Sequence, residues 1–176
     1  MILNVSIGQE KRYAETWPEI SSLISEVMDN LKGERVEVID GIPYELAGDL
    51  ARIACSDQRH DGATRSPDGS NWPSNELVMA VNRSTGHGAL VWFVNARFPK
   101  KGGIYDHIWV SDNPEPPDFD PRVVSDPWAS DFHDPRSTLP LPQIQAAVEE
   151  FCRTGTGDRP ESIGWAEAMT FNGMRL

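Results

Sequence analysis

The chain has 176 residues, a length at which one hydrophobic core buries about 70% of the surface that the unfolded chain exposes, so residues 1–176 read as a single domain. A hydrophobic share of 39% and a charged share of 24% fit an ordered soluble protein and not a disordered one, and no stretch approaches the roughly 20 apolar residues that cross a bilayer. A formal net charge of −11 disfavours direct contact with phosphate backbones or anionic lipid, while it suits a basic protein partner.

The opening MILNVSIGQEKRY has no cation ahead of its apolar run, which is too short and too polar for a secretory signal, so a cytoplasmic protein is expected. Ile2 to Ile7 alternates well enough for a first strand, and the polar KRY is expected to end it. A helix follows, with Thr16 and Glu19 at capping-box spacing, Pro18 in the first turn, one apolar stripe of Ile20, Leu23, Ile24, Val27 and Leu31, and Gly33 as the stop. ERVEVID alternates apolar and charged residues, with Val36 and Val38 on one face, and reads as a second strand ending at Gly41. YELAGDLARIA fits either a helix or a strand followed by a turn; SDQRHDGATRSPDGSNWPSNE, rich in turn formers, reads as an exposed loop.

Three β-like segments come next, Leu77 to Val81, Ala89 to Val94 and Ile104 to Val110, joined by the glycine-bearing NRSTGHG and RFPKKGG, which is the pattern of an antiparallel meander. Further on, LPLPQIQAAVEEFCRTG places Leu141, Ile144, Val148 and Phe151 at helical core spacing with Gly155 as cap, and ESIGWAEA is a candidate last strand. The elements predict an α+β domain with an antiparallel or mixed sheet of hairpins and helices packed on one face.

Catalytic signatures do not accompany this fold. Cys55 and Cys152 lack any CxxC or Cys/His ligand spacing and read as free thiols, Cys152 as a small apolar helix residue. His60, His87, His107 and His133 are scattered, with no HExxH and no HxE paired to PCxxC, so no metal site and no cofactor are expected. GxSxG, GxxxxGK[ST] and GxGxxG are missing, and DFDPRVVSD lacks the glycine turn and closing glutamate of a calcium loop. In a chain with 27 acidic residues, paired carboxylates alone assign no catalytic residue.

The most distinctive stretch is DNPEPPDFDPRVVSDPWASDFHDPRSTLP, Asp112 to Pro140, where prolines and aspartates are interspersed with Phe119, Trp128 and Phe132. Together with NRSTGHGALVWFV before it, STLPLPQIQAAVEEFCRTG and RPESIGW after it, the closing NGMRL and the opening MILNVSIGQEKRYAETWPEISSLISEVM, it resembles the type-one immunity family of bacterial polymorphic toxin systems. Glu45 to Ser74 fits that resemblance poorly. The resemblance implies a non-catalytic α+β protein that binds and neutralises a cognate toxin domain made by the same cell or its kin, often a nucleic-acid deaminase.

Such a toxin presents a cationic cleft, which an acidic protein can occupy by offering carboxylates where phosphates would lie. On that view Asp118, Asp120, Asp126, Asp131 and Asp134 supply the charge, Trp128 and Phe132 anchor the contact, and the prolines restrict the segment in advance. The competing view makes Phe119, Trp128 and Phe132 pins that hold a long connection onto its own sheet, with the aspartates capping turns. This scaffold role takes precedence, since the segment belongs to the resemblance while partners vary, and Trp92 and Trp165 read as core. The expected partner is a toxin protein domain, with no direct nucleic acid and no membrane, the chain itself being a monomer or weak homo-oligomer. A small carboxylate-dependent hydrolase, which would show a pocket of converging polar groups, and a non-catalytic adaptor are the alternatives.

Overall fold

ILNVSI forms the first strand, β1 (Ile2–Ile7), in the computed structural model, which describes residues 1–60, 72–129 and 131–176. The polar KRY does not end the strand run. Gly8, at φ 56°, turns the chain back at once into β2 (Glu10–Ala14), paired antiparallel from Leu3↔Ala14 to Ile7↔Glu10. Polar residues suit this position because β2 is the outermost strand of its sheet among the described residues.

Helix α1 (Trp17–Asn30) begins where the spacing predicts, the Glu19 carboxylate accepting from the backbone N–H of Thr16 at 3.0 Å and of Glu15 at 3.1 Å. The expected strand at ERVEVID is β3 (Arg35–Ile39), but it does not stop the local pairing at Gly41. Asp40 and Gly41 both take positive φ, 52° and 80°, the geometry of a tight hairpin turn, and β4 (Ile42–Leu46) returns along β3. YELAGDLARIA is therefore the end of one strand and the start of another, β5 (Ala51–Ser56), with no helix. Of the expected exposed loop, residues 61–71 lie outside the described residues, while His60 is buried.

The meander is β6 (Asn75–Asn82), β7 (His87–Val94) and β8 (Ile108–Asp112), with Gly103–Asp106 as a 3-10 turn where the sequence suggests strand. The Asp/Pro segment contains β9 (Val124–Asp126) and β10 (Asp131–Phe132), then a 3-10 turn at Pro135–Ser137 and β11 (Leu139–Pro140). Helix α2 (Leu141–Thr154) ends at Gly155 in the left-handed region, and β12 (Gly164–Ala168) is the last strand.

Among the described residues eight strands form one antiparallel sheet in the order β12-β8-β7-β6-β5-β1-β2, with β11 also paired to β7; β3–β4 and β9–β10 are separate two-stranded sheets. Strand β7 shares one edge between two partners, β8 at Val91–Trp92 and β11 at His87–Gly88, and the Ser111 hydroxyl fills the junction by accepting from Leu90 N–H and donating to Ser137 O.

Both helices cover one face, where Ile24 and Val27 of α1 and Ile144, Val148 and Phe151 of α2 meet Leu77, Met79, Leu90 and Trp92 of the sheet. Gly88 is required there, since a Cβ would stand 2.7 Å from Ala80 O and 3.1 Å from Ile144 Cγ1 beneath α2. The Trp92 indole N–H donates to Gly157 O at 3.0 Å, so the loop after α2 is pinned to the core. Trp165 is half-buried against the same core.

The other face of β6 and β7 presents Val78, Ala80, Ala89 and Val91, and the Asp/Pro segment lies on it. The cross-strand pair Ala80↔Ala89 leaves room for Val123 and Val124 to pack directly on the strands. The molecule is layered as helices, sheet and Asp/Pro segment. Among the described residues no helix is long and apolar enough to cross a membrane.

Candidate functional site

Backbone contacts tie the Asp/Pro segment down along its length. Pro121 O accepts from the Asn82 side-chain amide at 2.9 Å and the Thr85 hydroxyl at 3.0 Å, and Pro127 O accepts from Ala47 N–H at 3.1 Å, while within the segment His133 N–H donates to Val123 O at 2.8 Å. The prolines act here as acceptors as well as stiffeners, because a carbonyl is the one main-chain hydrogen-bonding group they retain.

The seven residues singled out from the sequence separate into three environments. Asp120, Asp126 and Asp134 close local turns: Asp120 accepts from Arg122 N–H at 2.8 Å, Asp126 from Trp128 N–H at 2.9 Å and Ala129 N–H at 3.3 Å, and Asp134 from Arg136 N–H at 2.9 Å. The Arg136 guanidinium also grips Asp134 at 2.7 Å and holds its carboxyl below the usual carboxylate range. Phe132 is half-buried, packed beside Val123 and covered by the Arg122 guanidinium at 4.1 Å.

Asp118, Trp128 and Asp131 face solvent instead, and among the described residues neither of these two carboxylates has a partner. Trp128 is 67% exposed, so it is not the core pin that the scaffold view makes of it; Val123 and Val124, both buried, hold the segment down. Its ring meets Tyr44 edge-on at 6.3 Å. Phe119, 47% exposed, lies edge-on to His87 at 5.6 Å and is likewise no core residue. Register brings Asp126 and Asp131 opposite each other across β9 and β10 with Trp128 in the turn between, whereas Asp118 and Asp120 belong to the stretch preceding the Pro121 anchor.

A cleft of about 280 Å³ is lined by Arg52, Trp72, Glu76, Phe93, Asn95 and Arg97 among others, and Glu76 is its single carboxylate among the described residues. Burial raises the Glu76 carboxyl, opposed by its ion pair with Arg52, and acid/base hydrolysis by carboxylates calls for a second one. Burial pushes the Cys55 thiol up to about 12 and Cys152 well above its ordinary value, so both free thiols are poor nucleophiles. Among the described residues no group of His, Cys, Asp and Glu gathers closely enough to hold a metal ion.

The sequence model of the family described as Immunity protein Imm1 matches residues 8–167. The chain belongs to this family. No curated protein and no solved structure matches it. The Imm1 match extends over residues 45–74, where the sequence resemblance is weak, and leaves out MILNVSI and the closing NGMRL, which the resemblance includes. As an Imm1 protein the chain is an immunity protein, with the toxin-neutralising role and the toxin partner that this implies.

Sequence reasoning passes over the exposed apolar side chains of β3 and β4, among them Val36 at 62%, Val38 at 69% and Ile42 at 55%. The signal was Asp40-Gly41 between two alternating runs, which specifies a hairpin.

Proposed function

We propose that the chain neutralises one cognate toxin domain of a polymorphic toxin system by stoichiometric binding in the cytoplasm, without catalysis of its own, and that the toxin acts on nucleic acid. The supporting observation is a backbone-anchored acidic segment that displays Asp118, Trp128 and Asp131 to solvent, on a chain of net charge −11. Carboxylates held at fixed positions can stand where a nucleic-acid enzyme binds phosphates, and a fixed segment loses little conformational entropy on binding. The protein itself repels nucleic acid and lipid, so it reaches the toxin and not the toxin's substrate.

Titrating the purified protein into an assay of the cognate toxin domain tests this. Inhibition complete at a 1:1 ratio is expected, with a dissociation constant about nanomolar or tighter, because free toxin must be kept negligible. Co-expression should restore growth. Toxin that stays fully active in excess protein rules the reading out.

A further inference from the structure

The β3–β4 hairpin stands apart from the main sheet: among the described residues its strands pair only with each other and pack closely on no other strand or helix. Its register sets Val36 and Val38 on one face, opposite Glu45 and Pro43, and Ile39, Ile42 and Tyr44 on the other. These five apolar side chains are all exposed. A lone two-stranded hairpin is marginal in water, and side chains on both of its faces have no core of their own to enter.

What fixes the hairpin lies at its base. Leu46 is buried, Arg35 reaches Asp49 at 2.7 Å, and Ala47 N–H donates to Pro127 O. From that base, five-residue strands extend about 16 Å. Charge is distributed unevenly along them. The stretch from Glu34 to Leu46 carries four carboxylates and one guanidinium, that of Arg35, which is taken up by Glu37 and Asp49. Glu34 is paired with Arg122, while Asp40 in the turn and Glu45 meet no cation among the described residues.

An element that is apolar on both faces, with one unpaired carboxylate in its turn and another near its base, fits a cleft better than a flat patch, and the cleft it fits has a basic rim. A second copy of this acidic chain would set carboxylate against carboxylate. We propose that the β3–β4 hairpin, with Trp128 beside it, is a wedge that inserts into a basic, apolar-walled cleft of a partner protein. The proposal rests on the toxin-binding reading, and the partner is the toxin domain.

Calorimetric titration of the cognate toxin domain with the wild-type chain and two double variants tests each face of the wedge. Val36→Ser with Val38→Ser strips one face; Ile42→Ser with Trp128→Ala strips the other. Each is expected to weaken binding about 30-fold or more, the scale of interface hot spots, with melting temperatures little changed because the replaced side chains are exposed. Amides of residues 35–46 in the wild-type chain should exchange more slowly in the complex than alone.

Unchanged affinity in both variants overturns the wedge and leaves toxin binding standing. Loss from one face alone replaces it with a flat contact and also overturns it. If a variant unfolds, amide exchange decides, and unprotected 35–46 amides in the complex overturn the proposal. A dimer of the free chain that Val36→Ser with Val38→Ser dissolves would assign the hairpin to a second copy and overturn it too. Failure of the wild-type chain to bind removes the toxin reading and the wedge together.

Discussion

His133 is buried between the Asp/Pro segment and the C-terminal turn, and its Nδ1 has no hydrogen-bond partner among the described residues. Gly173 closes over the ring so tightly that a Cβ there would lie 2.8 Å from His133 Cε1 and 2.6 Å from Val91 Cγ2. Burial lowers the imidazole from its ordinary value to about 4, so the native state holds it neutral. Below about pH 6.5 the unfolded chain takes up a proton that the folded chain refuses, so stability is full above that value and is lost as pH falls toward 4. Between pH 7 and pH 5 this one group should lower unfolding free energy by about 2 kcal/mol. Urea denaturation of the wild type and His133→Leu at both values measures it, and equal pH slopes in the two proteins would show that His133 is not the source. The position of His133 in HDP gives no sign of this in sequence, since an imidazole beside two turn residues reads as surface.

At the scale of elements, the Asp/Pro segment is both scaffold and display, and the two roles fall on different residues. Asp126 caps a turn and also accepts from Asn172 Nδ2 at 2.9 Å, so Asp126→Ala should cost about 1 kcal/mol of stability and lower the melting temperature. Asp118→Asn with Asp131→Asn should leave the melting curve in place and slow toxin association a few-fold, as loss of rim charge does. Calorimetry and stopped-flow binding read the two effects separately, and a melting-temperature loss in the second variant would put those carboxylates in the scaffold. Sequence pattern showed much of this architecture. The helices, the meander and the last strand follow from stripes, glycines and alternation at residues such as Ile144, Gly155 and Val78. LVMAV and ALVWFV are continuous apolar runs, the mark of strands covered on both faces, and something had to cover the second one. Which residues of the segment would do so was not legible: two adjacent valines make the contact while the larger Trp128 stays out, because a long connection is anchored wherever its backbone can bond, here at Pro121 and Pro127. The exposure of the β3–β4 side chains was not legible, because alternation says which side chains share a face but not whether any core lies beneath it.

Over the whole molecule, the cations are largely turned inward on the protein's own carboxylates. Arg12 pairs with Glu26, Arg35 with Asp49, Arg59 with Glu15, Arg122 with Glu34 and Arg175 with Asp112, each at 2.7 Å or less. The exposed pairs among them, such as Arg59 with Glu15, add little stability, but together the pairs decide the shape of the outer field, because the carboxylates left over carry the surplus of −11. A basic partner is therefore drawn in from a distance while the protein's own copies repel one another. Association with the toxin should be fast at low salt and fall about tenfold or more as ionic strength rises from about 0.01 to about 0.15 M, over which the screening length shrinks from about 30 to about 8 Å. Dissociation should change far less, since contacts such as those of Val38 and Trp128 are apolar and short-ranged, and stopped-flow traces across a salt series separate the two rates. An association rate that stays flat would remove steering from the account and leave the tight complex to the apolar contacts alone. A dissociation rate that rises in step with salt would instead place unscreened ion pairs at the centre of the interface, where the wedge puts valine, isoleucine and tryptophan.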